Sequence, residues 1–498
     1  MKKFLPFFAV IILFFSPLSV SAQEGERIAI TNVTVLLMQE DQVFENAIVF
    51  ISEGEIYGVF SMEGFDYIND EGNIHIEEEV EFLEPFEANE PISNFVTRLD
   101  DEGIKELEAK LGYSLQPDPM KIIDGTGKFL IPGLAEMHGH IPDATSYNQN
   151  LEDLLFLFLS NGVTTVRGML GNDGQLKLQQ DILEGKILGP TLYLGSPSFR
   201  GNSVTSPLQA RKKVRDHVAE GWDFLKIHPG LTLNEYNAMA EEATKAGITW
   251  GGHIPSDVGL WRALEAGQST IDHLDGYELF TGTVTFNGFS GTVEGYGTGP
   301  VDQELLNEAV RITLEAGAVI VPTNALWSVL VGGVSKQELE ARPEMKYASP
   351  AERRSWASRH TDNRNNPQTN QIIENRRQIL KALYDGGVPI LLGSDAPQLF
   401  SVPGFSIPRE MENMAAAGID NLGILAAGTI NVGEFFKDKD AFGQIAPGQR
   451  ADLILLNANP LEDISNIRDI AGVMVRGIWI SKEDIDARLT EIAARRKN

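Results

Sequence analysis

Only eight histidines occur in 498 residues, and two of them, His138 and His140, stand one residue apart in "AEMHGH". The apolar run Phe129 to Leu134 precedes them. A buried neutral imidazole needs a partner at each ring nitrogen, so a buried pair is costly without a purpose. In an extended strand residues i and i+2 point to the same side, and the pair would aim two nitrogens at one point. Other residues could share that point. Lys226 lies in "DFLKIH", His253 ends "ITWGGH", His273 ends the apolar part of "STIDHL", and Asp395 ends "LLGSD". Taken singly each has a plain reading: a strand-end histidine satisfied by hydrogen bonds, a lysine reaching water along its stem, an aspartate capping a helix. Taken together, four imidazoles, a carboxylate and a lysine point to a metal centre.

The elements that must position these groups follow from the rhythm of the chain. From Lys121 onward short apolar runs alternate with amphipathic stretches such as "ARKKVRDHVAEG" and "LNEYNAMAEEATKAG", several ending on Gly as helix C-termini often do. The strand candidates are "FLIPGLAEMH", "VTTVRGM", "TLYLGS", "DFLKIH", "ITWGGH", "STIDHL", "GAVIVPT" and "PILLGSD". Eight strands interleaved with helices predict an α/β fold of the (β/α)8 TIM-like barrel type, whose chemistry sits at the C-terminal rim of the strands. The eighth strand closes on the first, so Asp395 would stand beside the histidine pair despite its distance in sequence.

β-rich segments flank the barrel on both sides: "RIAITNVTVLLM" and "NAIVFISEGEIYGVF" before it, "ADLILLNA" and "IAGVMVRGIWIS" after it. The expected organisation is a signal peptide at 1–22, a small composite β-sandwich domain from 23–60 and 437–482, an acidic insertion at 61–120, the barrel at 121–436 and a C-terminal helix at 483–498. The insertion holds seventeen Asp or Glu against three Lys or Arg and reads as a solvated loop.

Composition limits the function classes. The chain is 42% hydrophobic, has no cysteine, and carries a formal charge of −29. Such a surface repels nucleic acid and anionic lipid. The opening "MKKFLPFFAVIILFFSPLSVSAQ" has a basic start, an apolar core and small residues before a cleavage point after Ala22, the pattern of a secretory leader. The expectation is an exported soluble protein, periplasmic or secreted, with no membrane insertion once the leader is removed. Its partner would be a small molecule or peptide, and a second copy of the chain is admissible.

Seven stretches, "IPGLAEMHGH", "GVTTVRGM", "FLKIH", "GGHIP", "IDHLDG", "GVPILLGSDAP" and "GQIAPGQRADLILLNANPLEDI", span about residues 122 to 480. With them the chain resembles the amidohydrolase superfamily of metal-dependent hydrolases, near its imidazolonepropionase and prolidase-like branch. The long acidic passage and Gly168, where many relatives carry an acidic residue, depart from that pattern without touching a ligand position. The resemblance implies two divalent ions, zinc by the donor set. His138, His140 and Asp395 would hold one, His253 and His273 the other, and Lys226, carboxylated by CO2, would bridge them as a carbamate.

By the same resemblance a metal-bridging hydroxide attacks an amide carbonyl while Asp395 shuttles the proton. The substrate would be a dipeptide, an N-acyl amino acid or a cyclic amide. Two other readings remain open: the same chemistry on an ester, carbamate or phosphoester, and a non-catalytic exported protein that keeps the metal for folding. His228, two residues past Lys226, is a candidate for the substrate cavity. Residues 336–381 hold ten Lys or Arg against six Asp or Glu, and Arg353, Arg354 and Arg359 in that run could grip a substrate carboxylate. His75, His217 and His360 are expected at the surface.

Overall fold

The computed structural model describes residues 27–39, 42–61, 67–68, 72, 74–75, 120–282 and 298–497. The expected leader and most of the expected insertion lie outside the described residues. The fold is α/β.

Among the described residues the strands fall into three sheets. One has ten strands: β1 (Ile28–Leu36), β2 (Val43–Ser52), β3 (Glu55–Ser61), β4 (Tyr67–Ile68), β5 (Ile74–His75), β6 (Lys121–Asp124), β7 (Phe129–Pro132) and, from the far end of the chain, β15 (Leu453–Leu456), β16 (Ile470–Val475) and β17 (Ile478–Ser481). Both chain ends thus meet in one sheet. Its centre is the parallel pair β1 and β7, with β15 antiparallel on the other side of β7. Alternate residues of β1 and β2, among them Ile28, Ile30, Val49 and Ile51, pack with Leu453, Leu455 and Met474 into a core separate from the main one.

The second sheet joins β8 (Leu134–Gly139), β9 (Val163–Gly168) and β10 (Thr191–Leu194) in parallel, and the third joins β11 (Leu225–Ile227), β12 (Trp250–Gly252), β13 (Thr270–Asp272) and β14 (Val319–Val321). Their strands are buried at every position, which is why they read as continuous apolar runs. Helices intervene: α1 (Gln149–Leu159), α2 (Gln175–Leu183), α3 (Pro207–Glu220), α4 (Leu233–Ala246), α5 (Gly259–Ala266), α6 (Tyr277–Phe280) and α7 (Gln303–Ala316). After β14 come α8 (Asn324–Leu330), α9 (Pro350–Arg359) and α10 (Pro367–Asp385), and α11 (Lys482–Arg495) stands where a C-terminal helix was expected. Helix α4 shows how locally the sequence sets these ends: Thr232 and Glu235 form a reciprocal cap, and Gly247 stops the helix at φ +68°.

Two expectations need correcting. "FLIPGLAEMH" is not one strand. Its first part, β7, pairs with β1 and β15, and only β8 enters the second sheet; Gly133 N donates to Asp452 O and Leu134 N to Gly162 O, so the chain changes sheets there. β6 and β7 therefore belong to the flanking sheet, although they fall within 121–436. The eighth expected strand, "PILLGSD", is extended chain with a single parallel bridge at Ile390 to Ile320. It is nevertheless tied to β8 by Met137 N to Leu392 O, Asp395 N to His138 O and His140 N to Ala396 O, each 2.8 Å. On the other side Gly195–Phe224 and Phe199–Ile227 bridge the second sheet to the third.

Candidate metal centre

The ties between β8 and residues 390–396 place Asp395 against the histidine pair. His140 Nε2 lies 2.7 Å from Asp395 Oδ1, and His138 Nε2 lies 3.7 Å from the same oxygen. Buried Glu136 clamps this junction by accepting from His138 N at 3.0 Å, from Ser394 N at 2.7 Å and from the Ser394 hydroxyl. Burial pushes the Glu136 carboxyl up to about 8.

Five imidazoles then run in a row. Ring centroids are 5.6 Å apart from His140 to His138, 4.4 Å to His273, 4.4 Å to His253 and 5.0 Å to His228. Each member beyond the pair is fixed through Nδ1. His253 Nδ1 is 2.6 Å from Asp275 Oδ2, His273 Nδ1 is 2.7 Å from Thr323 Oγ1, and His228 Nδ1 is 2.6 Å from Ser198 Oγ. Anchoring one ring nitrogen sets the tautomer at the other, the arrangement metal-binding histidines share. His273, Thr323 and Asp395 hold φ of +63°, +50° and +61°. Non-glycine residues in the left-handed region cluster where a site over-determines the backbone.

Lys226 is wholly buried below the row. Its Nζ makes no hydrogen bond and lies 3.9 Å from Asp272 Oδ2. Gly252, directly ahead of His253, makes room for it: with φ +116°, a Cβ there would stand 2.9 Å from Lys226 Nζ. Burial brings the Lys226 ammonium down to about 8 and the His138 imidazole down to about 4, and it lowers His273 and His228 as well. Near neutral pH the His138, His273 and His228 rings are therefore lone-pair donors.

Asp272 is the group that sequence reasoning missed. It is wholly buried, 2.8 Å from His138 Nδ1 through Oδ2 and 4.0 Å from Arg167 Nη1 through Oδ1. Burial alone would raise its carboxyl; His138, Lys226 and Arg167 outweigh that and leave it lowered. Arg167, also buried, donates to Thr270 Oγ1 at 3.1 Å and stacks 4.2 Å from the Phe224 ring.

The expected arginines stand apart from the row. Arg354 and Arg359 are exposed on α9, Arg353 is half-buried, and none of the three contacts the imidazole row among the described residues. Trp356 is the buried residue of that helix and packs on Phe400, which turns the basic face outward. The arginine of the same basic run that reaches the site's wall is Arg376 on α10. It is buried, donates to Asn324, Glu278 and Pro322 O at 3.0–3.1 Å, and stacks on Trp327, whose ring centroid is 6.5 Å from His273's. His217 is likewise buried, against Glu220, rather than at the surface.

A donor set of this kind fits a divalent cation. His138, His273 and Asp395 each offer a ligand atom within 4.8 Å of the others, all buried. His273 Nε2 and Lys226 Nζ are buried without a hydrogen-bond partner, a cost that a bound ion would remove. The sequence profile of the amidohydrolase family matches residues 129–480. The chain belongs to the amidohydrolase family.

Over 172 residues this amidohydrolase is 27% identical to adenine deaminase 3 of Rhizobium meliloti (strain 1021), which is 31% of this chain and only 28% of that relative's length. Solved structures share the fold over nearly the whole chain. Bottromycin amidohydrolase superposes with a TM-score of 0.65 at 19% identity, covering 96% of this chain and 92% of its own. A Xaa-Pro dipeptidase with bound methionine gives 0.59 at 18%, covering 92% and 100%. The ochratoxinase of A. niger gives 0.59 at 17%, covering 92% and 96%. The family implies a divalent metal, and among the described residues no helix is long and apolar enough to cross a membrane.

Proposed function

We propose that the protein hydrolyses an amide bond in a dipeptide, an N-acyl amino acid or a cyclic amide, at the rim of a (β/α)8 barrel formed by the second and third sheets and residues 389–395. In this reading His138, His140, Lys226, His253, His273 and Asp395 hold two divalent cations, zinc by their nitrogen and carboxylate donors. The cations would supply Lewis acidity that makes water acidic near neutral pH and draws charge from a carbonyl oxygen. The observation that carries the reading is the placement of Asp395: it touches His140 and lies within 4 Å of His138 and His273.

The chain's own groups have distinct tasks. Asp395 Oδ1 is engaged by His140 Nε2, which leaves Oδ2 to take the proton of the attacking water and return it to the departing amine. Asp275, an acceptor, keeps the proton of His253 on Nδ1, and Thr323 holds the His273 ring in place. Burial favours the neutral amine of Lys226, the form that adds to CO2; the N–C bond forms as a proton leaves, and the product is the anionic carbamate. His228, at the end of the row, would face the substrate. The flanking strands would make the small accessory domain, and the leader would direct export.

The test is turnover by purified protein loaded with Zn2+ or Mn2+ in bicarbonate, against amide and ester panels, with and without chelator. Metal-dependent amide cleavage is expected. Ester or phosphoester turnover without any amide turnover would overturn the proposal.

A further inference from the structure

The chain leaves β11, β12 and β13 by three loops that begin beside Lys226, His253 and His273. All three loops wall one cavity of about 310 Å³. Pro229 comes from the first, Ile254 from the second with Trp261 on α5 behind it, and Asp275 from the third with Leu279 and Phe280 on α6 behind it. Asp275 belongs to both places, since the carboxylate that edges the cavity also anchors His253 at 2.6 Å. Cavity and row therefore share Asp275, which follows the C-terminal end of β13.

Its chemistry differs sharply from that of the row. Among the described residues Asp275 is the one charged lining group. Trp261 and Leu279 are 53% and 42% exposed, so two large apolar side chains stand in water beside the candidate catalytic groups. Helix α5 already buries Leu260, Ala263 and Leu264 against the core, and Trp261 faces away from that stripe. Folding does not account for an apolar residue there, whereas a ligand would.

Resting on the amide-hydrolase reading above, we infer that this cavity is the subsite for a neutral apolar side chain, branched or aromatic, next to the scissile bond. Its volume lies at the lower end of small-molecule sites and suits one side chain rather than an extended peptide. An acidic side chain would be repelled by Asp275. A basic one would compete with His253 for the same carboxylate and loosen the row.

The experiment uses the full chain loaded with Zn2+ in bicarbonate, with N-acetyl-glycine, N-acetyl-leucine, N-acetyl-phenylalanine, N-acetyl-glutamate and N-acetyl-lysine as probes. kcat/KM is expected to rise roughly 10–100-fold from glycine to leucine or phenylalanine, with glutamate and lysine no better than glycine. Leu279→Arg, at an exposed position, should erase that rise; Trp261→Arg is the second variant, and melting temperature and bound metal serve as folding controls. A flat series, a preference for glutamate or lysine, or a wild-type ratio in both variants would overturn the inference. If no probe is cleaved, the N-acyl amino acid form of the hydrolase reading fails by itself. Equilibrium dialysis of the same probes then reads the cavity alone: graded binding supports the subsite, and ungraded binding overturns it.

Discussion

Two of the polar clusters among the described residues are built on opposite rules. Between the flanking sheet and the second sheet, Arg450 donates to Asp452 Oδ2 at 2.9 Å, to Thr165 Oγ1 at 2.7 Å and to Asp440. Tyr193 also donates to Asp440, at 2.7 Å, and Arg476 N donates to Asp452 Oδ1 at 2.7 Å. Every one of these charges has its partner, and the cluster ties two parts of the chain together. The imidazole row is the reverse. Lys226 Nζ and His273 Nε2 are buried without hydrogen bonds. A structural lock is finished on folding, whereas a site for chemistry keeps its polar atoms available.

The contrast can be broken at several points. The largest effect is expected for Asp395→Asn, which should fold and keep much of its metal while kcat falls about 10²–10⁴-fold, because an amide cannot shuttle the proton. Near-normal turnover would remove Asp395 from the chemistry. Arg450→Met should do the opposite. Leaving buried Asp452 without its cation should cost about 3 kcal/mol of stability, read by chemical denaturation, with kcat kept well below the melting temperature. A change confined to turnover would mean that the two clusters are not distinct in kind.

A smaller effect is expected for Asp272→Asn, since Asp272 sits beside His138 and Lys226 rather than in the row. Metal affinity should fall about 10–100-fold in chelator competition. Unaltered affinity would make Asp272 a countercharge for Arg167 alone.

The smallest effect concerns Glu410, whose carboxylate accepts from Asn324 N at 2.8 Å and Ala325 N at 2.5 Å. Burial pushes it up to about 7 from an ordinary 4.5. Between those values the unfolded chain releases a proton that the folded chain keeps, so stability falls as pH rises through that window and levels off above it. Glu410→Gln should flatten part of that fall, on the order of 1–2 °C in Tm between pH 5 and 7. An unchanged pH profile would show that Glu410 is ionised in the fold throughout.

The row itself was legible because its members are polar outliers at the ends of apolar runs: His138, His140, Lys226, His253, His273 and Asp395. Asp272 was not, although it directly precedes His273. Its partners Arg167 and His138 lie more than a hundred residues away, and only the packing of β8, β9 and β13 brings them together. The arginine cluster misled for a related reason. Composition reports how basic a run is and not which way it faces, and one buried tryptophan decided that for α9. Arg376, on a helix with ordinary amphipathic spacing, carried no mark of its burial. The move from β7 to β8 was hidden because a change of sheet at Gly133 leaves an apolar run unbroken.

The unfinished state of the row is accounted for if Lys226 and the imidazoles close around two cations, and metal analysis tests that most directly. Protein loaded with Zn2+ in the presence of bicarbonate, then freed of excess metal, should hold about two equivalents per chain, and Lys226→Ala should hold fewer. A fully active wild-type protein holding about one equivalent would contradict it.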